Sequence, residues 1–157
     1  MSRQMLHSSA STETARRQAW TAVLARAPVA ALEAHWQSLG ERPDYTLLRP
    51  AETGLVMLRG RISGTGAPFN LGEMTMTRCA IRLQGGPVGF GHVAGRSRRH
   101  AELAAIYDAM LQDDRWRDSV EQKLIAAQDA AQAAERQGGQ AEIAATKVEF
   151  FTLARGE

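Results

Sequence analysis

Apolar positions change their period twice along the chain. From Thr12 to Ala27 the residues Trp20, Val23, Leu24 and Ala27 recur at helical spacing, with Glu13 in the first turn, where the helix dipole favours an acid. Pro28 suits the first position of a second helix, whose face Val29, Leu32, Trp36 and Leu39 repeats at steps of three and four, and Gly40 is placed to end it. Residues 1–11 read as a loose tail. The period then becomes two. Tyr45 to Arg49 is a short strand broken by Pro50, Glu52-Thr53-Gly54 is a turn, and Leu55 to Ile62 is a second strand. A glycine-rich loop, Ser63 to Pro68, leads through Phe69 to Gly72 into a long strand from Glu73 to Leu83, and Gln84-Gly85-Gly86-Pro87 turns the chain into Val88 to Val93. Helical spacing returns after Gly95. Ser97 caps a helix with Leu103, Ile106, Tyr107, Met110 and Leu111 on one face, ending near Asp113-Asp114. Another runs from about Trp116 to Ala134 along the stripe Val120, Leu124, Ala127, Ala131 and Ala134, and Gly138-Gly139 reads as a break. Val148 to Leu153 is rich in strand formers and fits either a strand or a helix. This order predicts an α+β fold in one domain, 1–157. It consists of two N-terminal helices, an antiparallel sheet of about four strands, and two or more C-terminal helices.

Composition supports a single globular core: 157 residues, 44% hydrophobic and 23% charged, with one cysteine, Cys79. One thiol excludes an intrachain disulfide and a cysteine-based metal site, and it suits a reducing cytoplasm. No apolar run approaches the roughly 18 residues of a spanning helix, and Met1 to Thr14 is too polar for an export signal, so neither membrane insertion nor secretion is expected.

Charge is distributed unevenly. The 19 basic residues include only two lysines, Lys123 and Lys147; residues 1–100 carry net +7 and residues 101–157 net −5. A basic front suits an anionic partner, although coding bias alone also favours arginine over lysine and alanine-rich helices. Strand alternation would place Arg59 and Arg61 on one face and Arg78 and Arg82 on one face. Together the four would form a side able to grip phosphate or carboxylate, with Met74 and Met76 favouring a protein partner. No nucleic-acid interface is expected, because aromatic residues do not interleave with the basic ones.

The glycine-rich segments carry no phosphate-binding motif. Gly64-Thr65-Gly66 lacks the lysine and hydroxyl residue of a phosphate loop. Gly89-Phe90-Gly91-His92-Val93-Ala94 matches a dinucleotide pattern in its letters, but the acid some twenty residues on, Asp108, falls within a helix instead of closing a second parallel strand. Those glycines fit turns or close backbone approach. The densest basic cluster, Arg96, Arg98, Arg99 and His100, surrounds a predicted helix N-terminus, where free N–H groups also favour anions. His7, His35 and His92 are scattered, and neither catalytic residues nor metal ligands are assigned.

Several short motifs in order carry a resemblance: Glu52-Thr53-Gly54-Leu55-Val56, Gly64-Thr65-Gly66 with Phe69 and Gly72, Thr75 with Thr77-Arg78, Gly95-Arg96 with His100-Ala101-Glu102, and Phe150-Phe151-Thr152 with Arg155-Gly156. Together, from about Arg17 to Gly156, they resemble the PhnG family, the small subunit of the bacterial carbon-phosphorus lyase core complex. Glu149 stands where the family more usually has aspartate. The resemblance implies a cytoplasmic subunit assembled with PhnH, PhnI and PhnJ in phosphonate catabolism. That complex takes part in replacing the adenine of ATP by an alkylphosphonate. ATP is then a substrate of the complex, with no cofactor bound by this chain alone and no catalytic residue to carry over. Arg59, Arg61, Arg78, Arg82, Phe150 and Phe151 are the expected partner contacts. Arg96, Arg98, Arg99 and His100 are the expected anion ligands in the alternative reading, a triphosphate or phosphonate site shared with a neighbour.

Overall fold

The computed structural model describes the backbone of residues 2–62 and 65–145 and the side chains of residues 12–62 and 65–140. The elements are α1 (Ser2–Arg26), α2 (Val29–Ser38), β1 (Tyr45–Arg61), β2 (Pro68–Leu83), β3 (Val88–Ala94), α3 (Arg98–Gln112), α4 (Asp114–Val120) and α5 (Ala126–Ala145), with a π-helical turn, Glu121–Ile125, between the last two. The α+β class agrees with the expected one. α1 starts at Ser2, ahead of the first apolar stripe.

Among the described residues the sheet has three antiparallel strands in the order β1-β2-β3, where about four were expected. Pro50 does not end a strand, and Thr53 and Gly54 do not turn: they pair with Thr77 and Met76. The reason is position. β1 lies at the sheet edge, where a missing N–H costs no ladder bond, and register shifts between Leu47 and Arg49 and between Arg49 and Glu52 absorb the proline in a bulged stretch.

One sheet face meets α3. Thr77, Cys79, Ile81, Leu83 and Val93 are buried on it, and α3 is enclosed from Leu103 through Leu111. Contact is close because β3 presents glycine: a Cβ on Gly89 would collide with the Ala105 carbonyl, and one on Gly91 with that of Ala101. The glycine pair thus serves backbone approach. α1 covers α3 through Trp20 and Leu24, and α2 adds Leu32 and Trp36, the latter edge-on to Tyr107 with ring centroids 6.4 Å apart.

Ser97 caps α3, its hydroxyl accepting from the His100 N–H at 3.2 Å. Asp113 ends α3 and starts α4, accepting from the Arg115 N–H at 2.9 Å. Beyond Leu124 the expected stripe fails. Ala127, Ala131 and Ala134 are exposed, whereas Gln132 is buried. The π turn inserts an extra residue and rotates everything after it, bringing a different face inward. Gly138-Gly139 does not break the chain either: both lie inside α5, neither with positive φ.

Among the described residues β3 pairs only with Met76–Arg82 of β2. Past that point β1 and β2 continue as a two-stranded arm, Gly54–Arg61 against Pro68–Met76.

Candidate functional site

The basic cluster at the start of α3 divides into outward and inward members. Arg96 precedes the Ser97 cap and is exposed; on the first helical turn, which spreads consecutive side chains around the axis, Arg98 is exposed while Arg99 and His100 turn toward the body. Arg99 donates to Glu33 at 2.8 Å and to Glu102 at 3.2 Å, and Tyr45 donates its hydroxyl to Glu102 at 2.7 Å. The hydrogen bond from Arg99, with support from Gln37, lowers the Glu33 pKa, and the same bond with Glu33 raises that of Arg99. Arg99 is therefore occupied joining α2, α3 and β1. His100 is buried, its Nε2 2.9 Å from the Leu24 carbonyl oxygen and so a donor tying α3 to α1. Of the four expected anion ligands, Arg96 and Arg98 face solvent, with no ion pair among the described residues.

The four sheet arginines do not converge. Arg78 and Arg82 lie on the side of β2 opposite the α3 contact, and Glu52 holds Arg78 at 2.7 Å and Arg49 at 3.0 Å. The bond from Arg78, foremost, lowers the Glu52 pKa. Arg59 pairs with Asn70, eight residues from Arg78 along β2, which at the strand rise separates the two pairs by roughly 25 Å. Register also corrects the face assignment. Val56 opposes Met74 and Leu58 opposes Gly72, so they share the side of Arg78, and alternation puts Arg59 opposite to Leu58. Arg61 donates to the Gly66 carbonyl at 2.9 Å across the end of the arm. The sequence prediction fails here because the register that sets Val56 against Met74 is not readable from either strand alone. Phe150 and Phe151 lie outside the described residues.

Sequence reasoning missed the polar centre of the molecule. Asp108 is fully buried and accepts from Arg17 at 2.6 and 3.1 Å, from the Trp20 indole at 2.9 Å and from the Phe90 N–H at 2.9 Å. Gln112 approaches the same carboxylate at 3.3 Å. Every lone-pair direction of the carboxylate is engaged, so the network ties α1, β3 and α3 instead of presenting a reactive acid. A basic residue and an indole three positions apart on α1 were its only sequence trace. Cys79 is also unsuited to nucleophilic chemistry: its thiol is buried against the Arg49 carbonyl, and burial pushes its pKa up.

A second unforeseen feature is a cleft between α1 and α5, floored by Trp20 and Val23 and rimmed by Arg26, Asp129 and Arg136. Gln132 lies in its wall, donating to the Val23 carbonyl at 3.0 Å while its Oε1 finds no partner. Charges on this rim are mixed and select no ligand of one sign. Among the described residues no group of three or more His, Cys, Asp or Glu side chains could hold a metal ion, and no helix is long and apolar enough to cross a membrane.

What remains open to a partner is surface. Large apolar side chains are exposed on the sheet, among them Leu48 at 51%, Leu55 at 64%, Leu71 at 62% and Phe90 at 46%. Exposed apolar groups contiguous on one element mark interaction surfaces more often than scattered ones do.

Comparison with known proteins agrees with the ordered motifs. The family model described as phosphonate metabolism protein PhnG matches residues 15–156. A relative from Rhizobium meliloti (strain 1021), an alpha-D-ribose 1-methylphosphonate 5-triphosphate synthase subunit PhnG, is 43% identical over 146 residues, which cover 91% of each chain.

Proposed function

From the premise that this chain belongs to the PhnG family of phosphonate metabolism proteins, we propose that it is a docking subunit of a ribose 1-alkylphosphonate 5-triphosphate synthase. The assembly would hold PhnH, PhnI and PhnJ. It would transfer the ribose triphosphate moiety of ATP to an alkylphosphonate with release of adenine, breaking the bond from the ribose anomeric carbon to adenine and forming one to a phosphonate oxygen. In this reading the chain contributes surfaces and no reacting group, and ATP is a substrate of the whole, not a cofactor of this chain. The observation that carries it is the pairing of a core closed around a fully hydrogen-bonded Asp108 with a sheet whose apolar side chains stay exposed.

The test is co-expression of the full chain with PhnH, PhnI and PhnJ, followed by mass measurement of the intact complex. The expected outcome is one complex containing this chain, and a chain that stays a stable monomer beside an assembled remainder overturns the reading.

Exposure of Arg96 and Arg98 at the α3 N-terminus favours one second reading, an anion site completed by a neighbouring subunit. Arg96→Ala or Arg98→Ala would then weaken ATP retention by the complex without dissociating it, and unchanged retention removes this reading.

A further inference from the structure

We propose that the β1–β2 arm is a tenon, inserted with both of its faces covered into an apolar slot rimmed by carboxylates on a different subunit of the synthase. The inference rests on the docking reading above and specifies its contact.

Three observations carry it. Among the described residues the arm has no third strand and no helix against either face, and a two-stranded ribbon alone is marginally stable in water. Its apolar side chains alternate to both sides: Leu55 and Met57, opposite Thr75 and Glu73, occupy one face, and Leu58, opposite Gly72, the other, exposed by 64%, 50% and 40%. A flat contact would cover one set and leave the other in water. A slot covers both.

Charge then selects the occupant. Among its described residues the arm carries Arg59, Arg61 and one acid, Glu73; Arg59 has no ion pair there, and Arg61 reaches only a backbone carbonyl. A second copy of this arm would bring further cations and no surplus of acid, whereas a carboxylate rim on another subunit would satisfy both guanidinium groups.

The experiment uses the full chain co-expressed with PhnH, PhnI and PhnJ and isolated through a tag on another subunit. Leu55→Asp and Leu58→Asp, one on each face, are each expected to lower recovery of this chain at least tenfold, with the circular dichroism of the isolated variant unchanged. In parallel, Asn70→Cys carrying a thiol-linked photo-crosslinker is expected to label another subunit beside Asp or Glu residues; Cys79 is buried and is not modified. Recovery of both Asp variants at the wild-type level, loss with only one of them, or crosslinks to a second copy alone would overturn the inserted arm while leaving the docking reading in place. Failure to recover even the wild-type chain removes the docking reading, and the tenon with it.

Discussion

Asp108 holds a charge where water cannot reach it, so its stability depends on the donors aimed at it from α1 and β3. Removing the carboxylate strands the Trp20 indole and the Phe90 N–H without an acceptor and leaves Arg17, about a third exposed, only partly solvated. Asp108→Ala should therefore cost about 3 kcal/mol, the lower end for a broken buried pair because of that exposure, measured by urea unfolding. Glu33 offers a test by pH. Its pKa is lowered in the folded chain from 4.5, so the Arg99–Glu33 link contributes fully above that value and is lost as pH falls through the depressed one. Glu33→Gln should flatten the fall in melting temperature over this acid range and leave the profile at neutral pH parallel to wild type. The pairing of Arg99 with Glu33 was not legible in sequence. Glu33 lies 66 residues from Arg99, and only folding shows that the first turn of α3 turns Arg99 away from its neighbour Arg98.

At the scale of elements, glycine acts in opposite ways at two places. Gly91 lets the backbone of α3 lie against β3, and Gly91→Ala would drive its Cβ into the Ala101 carbonyl. A loss of roughly 1–3 kcal/mol is expected, because backbone on both sides cannot yield as a side chain can. Gly138 and Gly139 have open space around the Cβ position and helical neighbours. Replacing both by alanine should raise helicity by circular dichroism and add about 0.5–1 kcal/mol each, since only backbone entropy opposes helix there. A glycine that breaks a chain and one that merely tolerates a helix look alike in sequence, which is why the pair was read as a break. The apolar stripes of α1, α2 and α3 were legible for the converse reason: their core positions follow one uninterrupted period. Pro50 and the π turn defeated the same method because each is an irregularity that tertiary packing, not local pattern, selects.

Across the whole molecule, the basic front and acidic back are partly each other's partners. Arg16 pairs with Glu121, Arg17 with Asp108, Arg99 with Glu102, and Glu41 of the front with Arg115 of the back. The split in charge thus first serves the fold, and the cations left over include Arg59, Arg82, Arg96 and Arg98. The division of labour extends to stability. The hydrophobic core draws on α1, α2, α3, β3, the inner half of β2, Val120 of α4 and Leu124 of the π turn, and no described residue of the arm from Gly54 to Met76 belongs to it. Replacing residues 56–74 by an Asn-Gly turn, between the paired Leu55 and Thr75, should consequently leave the body folded. Its melting temperature is expected to stay within about 4 °C of the full chain, the shift that roughly 1 kcal/mol produces at this size. Collapse of cooperative unfolding in calorimetry would show instead that the arm holds the body together. Retained unfolding with loss of co-purification would separate the two duties: α3 and its neighbours keep the chain folded, and the arm reaches outward.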